Sequence, residues 1–158
     1  MRQRAAGPIR KVHRRVPTMG KSRKPQRVWG YSPAKDSGTK ISDALRAEVE
    51  RKANELIETA LKAKHVEPPP KEPRFNYVIG LSTKWHGRYF YLVATYACPG
   101  PNAVSPTFEV NFARLEHTAM GRFSLAYMRH TGKWHELFTG QILDECLASI
   151  RDDPWFQP

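Results

Sequence analysis

The run RFSLAYMRHTGKWHELF, residues 122–138, decides how this chain is read. Two stretches of strand-forming residues flank Thr131-Gly132, and apolar side chains recur at every second position, the period of a half-buried β-strand. With Thr131 and Gly132 as a two-residue loop, Arg129 faces Trp134, Met128 faces His135, Tyr127 faces Glu136 and Leu125 faces Phe138. Phe123 extends the same face as Leu125. One side of this hairpin is apolar at its base and turns basic and aromatic at its tip.

Immediately upstream, Phe108, Val110 and Phe112 alternate with Glu109 and Asn111, which predicts another strand. Thr118–Gly121 joins it to the hairpin. Four-residue and five-residue loops there pair different faces, so that register stays open. A loop carrying three prolines, Cys98 to Pro106, precedes this strand. Before it, Phe75, Tyr77, Ile79, Leu81 and Trp85 alternate along a further strand. A turn at His86-Gly87 leads back through residues 88–98. Pairing about that turn sets Trp85 against Arg88, Leu81 against Leu92, Ile79 against Ala94, Tyr77 against Tyr96 and Phe75 against Cys98. The returning strand is apolar on its other side as well (Tyr89, Tyr91, Val93), as expected for a central or doubly covered strand.

Helices bracket the strands. Ser42 is the expected N-cap of a helix running to about Lys64, with Ile41, Leu45, Val49, Ala53, Leu56, Ile57, Ala60 and Leu61 on one stripe. Pro68-Pro69-Pro70 cannot continue it and favours an extended spacer. Thr139 is the expected cap of a closing helix with Ile142, Leu143, Cys146, Leu147 and Ile150 on its apolar side, ended by Asp153-Pro154. Trp155-Phe156 is expected to fold back onto the core. The class is therefore α+β: an N-terminal helix, an antiparallel meander of about five strands and a C-terminal helix, both helices free to cover one face.

Charge divides the chain at about residue 40. The first 40 residues hold 12 of the 26 Lys and Arg and a single acid, Asp36, while the remaining residues balance 14 basic against 14 acidic side chains. All of the net +11 therefore resides in this first quarter. Rich in Pro, Gly, Ser and Arg, it cannot repay the entropy of ordering, so residues 1–40 are expected to be a disordered basic tail ahead of a single α+β domain over 41–158. Trp29 and Tyr31 are the exceptions, able to clip onto a core. Met19 is a candidate alternative start that would remove six of the basic residues. The sequence shows neither a membrane-length apolar run nor a secretory signal, and a cytoplasmic location is expected. Cys98 and Cys146 form no disulfide or ligand pattern and are expected to be small packed side chains.

Several segments together resemble a bacterial family of small proteins of unknown function. They are Arg74-Phe-Asn-Tyr77, Cys98-Pro-Gly-Pro-Asn102, Phe112-Ala-Arg-Leu-Glu116, the hairpin from Phe123 to His135 and the closing run from Leu143 to Phe156. The likeness covers about residues 28–158, and members of the family begin near the position of Met19. The resemblance implies the architecture and brings no activity, cofactor or site residue with it.

Both expected hairpin tips mix aromatic rings with cations, Trp85-His86-Gly87-Arg88 and Arg129-His130-Thr131-Gly132-Lys133-Trp134. Rings that stack on bases beside cations that meet phosphates are what single-strand binders use, which makes Trp85, Arg88, Arg129 and Trp134 candidate stacking positions. Cross-strand cation–π pairing of Trp85 with Arg88 and of Arg129 with Trp134 accounts for the same residues structurally. In the tail, Arg10, Lys11, Arg14, Arg15, Lys21, Arg23, Lys24 and Arg27 are candidate phosphate contacts. His86, His117, His130 and His135 lie near strand ends in no metal-ligand spacing, and no metal, cofactor or catalytic set is expected. A non-enzymatic protein whose basic arm makes auxiliary, sequence-independent contact with RNA or DNA is the first expectation. A protein-interaction or small-ligand domain built on an aromatic pocket (Tyr77, Tyr96, Phe108, Phe112, Tyr127) is the second, and an uncharacterised enzyme the third.

Overall fold

A computed structural model describes residues 40–158. The eight candidate contact residues of the basic tail lie outside the described residues, as do Trp29 and Tyr31.

The first helix starts where its cap predicts. Ser42 Oγ accepts from Leu45 N at 3.2 Å, and α1 (Asp43–Leu56) follows. A π-turn over Ile57–Leu61 leads into α2 (Lys62–His65). The π-turn has a packing cause. Val49, Ala53, Ile57 and Leu61 are all buried, and their four-residue spacing would drift about 40° per step around a straight α-helix. Widening one turn brings Leu61 back over the sheet. Thr59 Oγ1 donates to Glu55 O at 2.7 Å, occupying a carbonyl in the widened turn.

Five strands follow as an antiparallel meander in the order β1-β2-β3-β4-β5. They are β1 (Tyr77–His86), β2 (Tyr89–Ala97), β3 (Thr107–Ala119), β4 (Arg122–Met128) and β5 (Trp134–Ile142). Then α3 (Leu143–Asp152) packs beside α1 on one face of the sheet, and Lys52 Nζ reaches Asp144 Oδ1 at 2.7 Å between the two helices. The core lies between these helices and the sheet, where Phe90, Leu92, Leu115, Phe123 and Leu125 meet Val49, Ile57, Leu61, Cys146 and Ile150. The α+β architecture with both helices on one face is thus as expected.

Registers differ from the simple pairings, and the turns give the reason. In the first hairpin, Trp85 pairs with Phe90 and Leu81 with Ala94, around the two-residue loop Gly87-Arg88. Gly87 has φ +60°, and a type II′ turn wants glycine at the first central position; His86-Gly87 would have put it second. The slip is two residues, so each side chain keeps its face. A bulge between Val78 and Gly80 breaks the pairing further along. Ile79, expected inside, is 41% exposed, and Val78 packs on the core instead. Phe75 precedes the strand and is 84% exposed, so it does not pair with Cys98, whose N–H donates to Pro106 O.

β3 runs to Ala119, into the expected Thr118–Gly121 loop, and its turn is Met120-Gly121 alone, at φ +50° and +70°. Such a pair suits a type I′ turn and settles the open register at Leu115 against Leu125. Methionine pays for φ > 0 where asparagine would not. Met120→Asn is therefore expected to stabilise the domain by about 1 kcal/mol, read from its urea midpoint.

The hairpin 122–138 keeps Leu125 against Phe138 but not its tip. Tyr127 faces His135 instead of Glu136, and Met128 faces Trp134 instead of His135. A tight Thr131-Gly132 loop of type I′ would force φ > 0 on a β-branched residue. Instead the loop is His130-Thr131-Gly132. Arg129 O accepts from Gly132 N at 2.9 Å, Arg129 N donates to Lys133 O at 3.0 Å, and only Gly132, at φ +75°, is left-handed. A bulge beside Leu137 absorbs the extra residue.

Thr139 lies within β5 and caps nothing; the strand runs on to Ile142, which is 42% exposed rather than buried. Glu145 Oε2 accepts from Ile142 N at 3.0 Å, supplying the carboxylate half of a capping box at the start of α3. The remaining apolar stripe is as expected. Phe156 is buried in the core, whereas Trp155 stays 57% exposed.

Of the two cysteines, Cys98 is half-buried and Cys146 buried. Loss of hydration, and then the charge of Glu145, push the Cys146 thiol up to about 12. Very little thiolate exists at pH 8. A disulfide-exchange reagent is expected to titrate one thiol per native chain, Cys98, and two after denaturation.

Candidate nucleic-acid interface

Side chains alternate across a strand, so the register that sends Phe90, Leu92 and Ala94 to the helices sends Tyr89, Tyr91 and Val93 to the opposite face. None of the described helices packs on this second face. Arg114 of β3 sits opposite Tyr91 in the ladder, and Glu116 sits opposite Tyr89. The three-residue loop of the last hairpin turns Trp134 to the same side.

These residues form one cluster. The Arg114 guanidinium lies 4.6 Å from the Tyr89 ring centroid and 4.8 Å from that of Trp134. Tyr91 stands beside both aromatic rings, 6.3 Å from Tyr89 and 5.6 Å from Trp134. At the rim, Arg88 contacts Tyr89 (5.2 Å to the ring) and pairs with Glu116 at 2.7 Å. The Tyr89 hydroxyl, which accepts from Arg88, and then the Glu116 carboxylate hold that guanidinium more firmly protonated than usual. Lys84 and Glu109 pair at 3.4 Å further along the face.

Arg114 differs from its neighbours. Among the described residues it makes no ion pair; its charge is held by aromatic rings, a contact worth about 0.5–2 kcal/mol depending on exposure. Its Nε is buried without a hydrogen-bond partner among the described residues, and so is Asn111 Oδ1 on the same face of β3. A cation held by rings rather than by a carboxylate keeps its positive field.

The four candidate stacking positions are thereby separated. Trp134 and Arg88 belong to the second face. Trp85 points to the helix side, packs on Phe90 at 4.9 Å and lies under Arg46 of α1 at 4.7 Å. Arg129 stands at the loop, facing Lys133 rather than Trp134. Neither expected cross-strand pair forms, because each tip register is displaced. Arg46 replaces Arg88 over Trp85, and Arg114 replaces Arg129 over Trp134. The five expected pocket aromatics are also divided, with Tyr96 packed against the core. Tyr96 stacks on Phe108 at 5.1 Å, Phe112 and Tyr127 are core residues, and Tyr77 falls on the other face beyond the bulge.

Sequence reasoning missed Arg114 and the joint role of Tyr89 and Tyr91. Alternation of Tyr89, Tyr91 and Val93 was the available signal, since it marked a second non-polar face; Arg114 joins it only through the β2–β3 register. Among the described residues no three His, Cys, Asp or Glu side chains gather closely enough to hold a metal ion. No described helix is long and apolar enough to cross a membrane.

Fold and cluster together define a helix-backed antiparallel meander with an aromatic–arginine array on its second face. The chain belongs to the family described as a domain of unknown function, DUF3024, whose model matches residues 41–158. That match begins at the first helix, later than the expected likeness from residue 28. No curated protein and no solved structure matches the chain.

Proposed function

We propose that the protein makes auxiliary, sequence-independent contact with single-stranded nucleic acid, the basic arm supplying attraction and the second face of the sheet supplying stacking. The observation that carries this is the division of charge, a net +11 confined to residues 1–40 ahead of a neutral domain. A basic arm of this kind gains affinity by releasing counterions from phosphates, whatever the sequence. The array around Arg114 supports the second half, because sequence-tolerant single-strand binders combine a cation with rings on which bases stack.

Fluorescence anisotropy of a labelled single-stranded RNA tests it with the full chain. Trp134→Ala is expected to weaken binding about 5- to 150-fold, the equivalent of the ~1–3 kcal/mol that one stacked base contributes. Trp85→Phe, on the helix side, is expected to leave affinity unchanged. Equal effects of the two variants would remove the second face from the interface.

A further inference from the structure

A second site stands where β4 runs into its loop, beside Tyr127 on the helix side of the sheet, with Met128, the ladder partner of Trp134, in its lining. Tyr127, Met128, Arg129, His130, Pro154 and Trp155 line an open cleft of about 360 Å³, within the ~300–1,000 Å³ range of small-molecule sites. It joins the β4–β5 loop to the turn that closes the chain.

Trp155 is held in place rather than left loose. Asp153 Oδ1 accepts from Trp155 N at 3.1 Å, and Pro154 starts the single 3₁₀ turn that carries the indole. The indole lies against Tyr127, ring centroids 5.0 Å apart and planes 36° off parallel. Tyr127 is in turn fixed edge-on by His135 and Phe156. Packing on Tyr127 accounts for the inner side of the indole; its outer side, with 57% of the residue exposed, faces the cleft and solvent. Arg129 and His130, both exposed, line the same cleft, and no carboxylate among the described residues lines it. A preorganised indole sharing a cleft with two basic side chains suits a planar ring that carries an anionic group.

We propose that this cleft binds a nucleoside monophosphate, the base stacking on Trp155 and the phosphate meeting Arg129 with His130 as a second donor. None of the six residues named in the cleft's lining belongs to the basic arm. The site therefore stands or falls separately from the single-strand reading above.

Isothermal titration of the full chain with adenosine 5′-monophosphate, adenosine and inorganic phosphate tests it. The monophosphate is expected to bind at least about tenfold more tightly than either fragment, since it alone engages both the indole and the cation. Trp155→Ala is expected to weaken it by at least about 5-fold, the loss of one stacking contact. Arg129→Gln, at an exposed loop position that leaves the fold untouched, is expected to reduce monophosphate binding while leaving adenosine unchanged. Monophosphate affinity is also expected to persist when the eight basic residues of the arm are replaced by glutamine, even if RNA binding is lost. Failure of the monophosphate to bind, binding no tighter than inorganic phosphate, or affinity insensitive to both Trp155→Ala and Arg129→Gln would overturn the proposal.

Discussion

Replacing Arg10, Lys11, Arg14, Arg15, Lys21, Arg23, Lys24 and Arg27 together by glutamine is expected to abolish most of the affinity for single-stranded RNA at low salt. The variant should also lose most of the salt dependence. If each of the eight cations meets one phosphate, log affinity should fall against log salt with a slope of about −5 to −6 for the unaltered chain, at roughly −0.7 per contact. Raising salt from about 50 to 200 mM would then cost about 10³ in affinity. The glutamine variant keeps Arg2, Arg4, Lys35 and Lys40, so its slope should be no steeper than about −3 at roughly −0.7 per contact. Anisotropy at several salt concentrations reads both slopes. A steep slope that survives the replacement would move the electrostatics onto the folded domain. That domain balances 14 basic against 14 acidic residues, so its own slope should be shallow. No binding by the unaltered chain at low salt would end the nucleic-acid reading altogether.

The second large effect concerns the sheet register. Phe90 is fully buried at the meeting of α1 and the first hairpin, against Trp85. Phe90→Ala removes its burial and leaves a cavity, at an expected cost of about 3–5 kcal/mol. Domains of this size carry only about 5–15 kcal/mol in total, so the variant should be close to unfolding at 37 °C. With a urea dependence of about 1–3 kcal/mol per molar, the midpoint should fall by roughly 2 M. Ile79→Ala supplies the contrast. An unbroken alternation from Phe75 to Trp85 would bury Ile79 and predict a loss of about 2–5 kcal/mol. The bulge turns it outward, and the expected loss is below about 1 kcal/mol. Equal, large losses at both positions would contradict the bulge.

Much of the fold was legible because it depends on local periodicity. Ser42 capped the helix it was expected to cap, the four-residue stripe from Val49 to Leu61 lay on the core, and the order helix, five strands, helix emerged from turns and prolines alone. The four apolar positions Leu143, Cys146, Leu147 and Ile150 likewise found the core. Caps were less certain where a strand could compete. Thr139 had the chemistry of an N-cap, but the ladder with β4 continued through it, and inter-strand hydrogen bonds satisfied the backbone that a cap would have served.

The candidate interface was only half legible. Trp134, Arg88 and the second non-polar side of β2 stood out from composition and alternation. Arg114 did not, because a cation in the middle of a strand has no local signature, and only the β2–β3 ladder sets it opposite Tyr91 and under Tyr89. Trp155 was expected inside, and its placement on the surface depended on how Asp153 and Pro154 wound one turn after α3.

By itself, then, the amino-acid sequence determined what short-range physics determines: the element order, the helical stripes, the presence of every turn and the segregation of charge into residues 1–40. Only the tertiary structure decided which residues share a face at the hairpin tips. A strand changes face with each residue, so an extra residue in a loop or bulge redirects every side chain beyond it. Where the extra residue goes is chosen by which position can adopt φ > 0 and by what the helices bury, neither of which the alternation pattern contains.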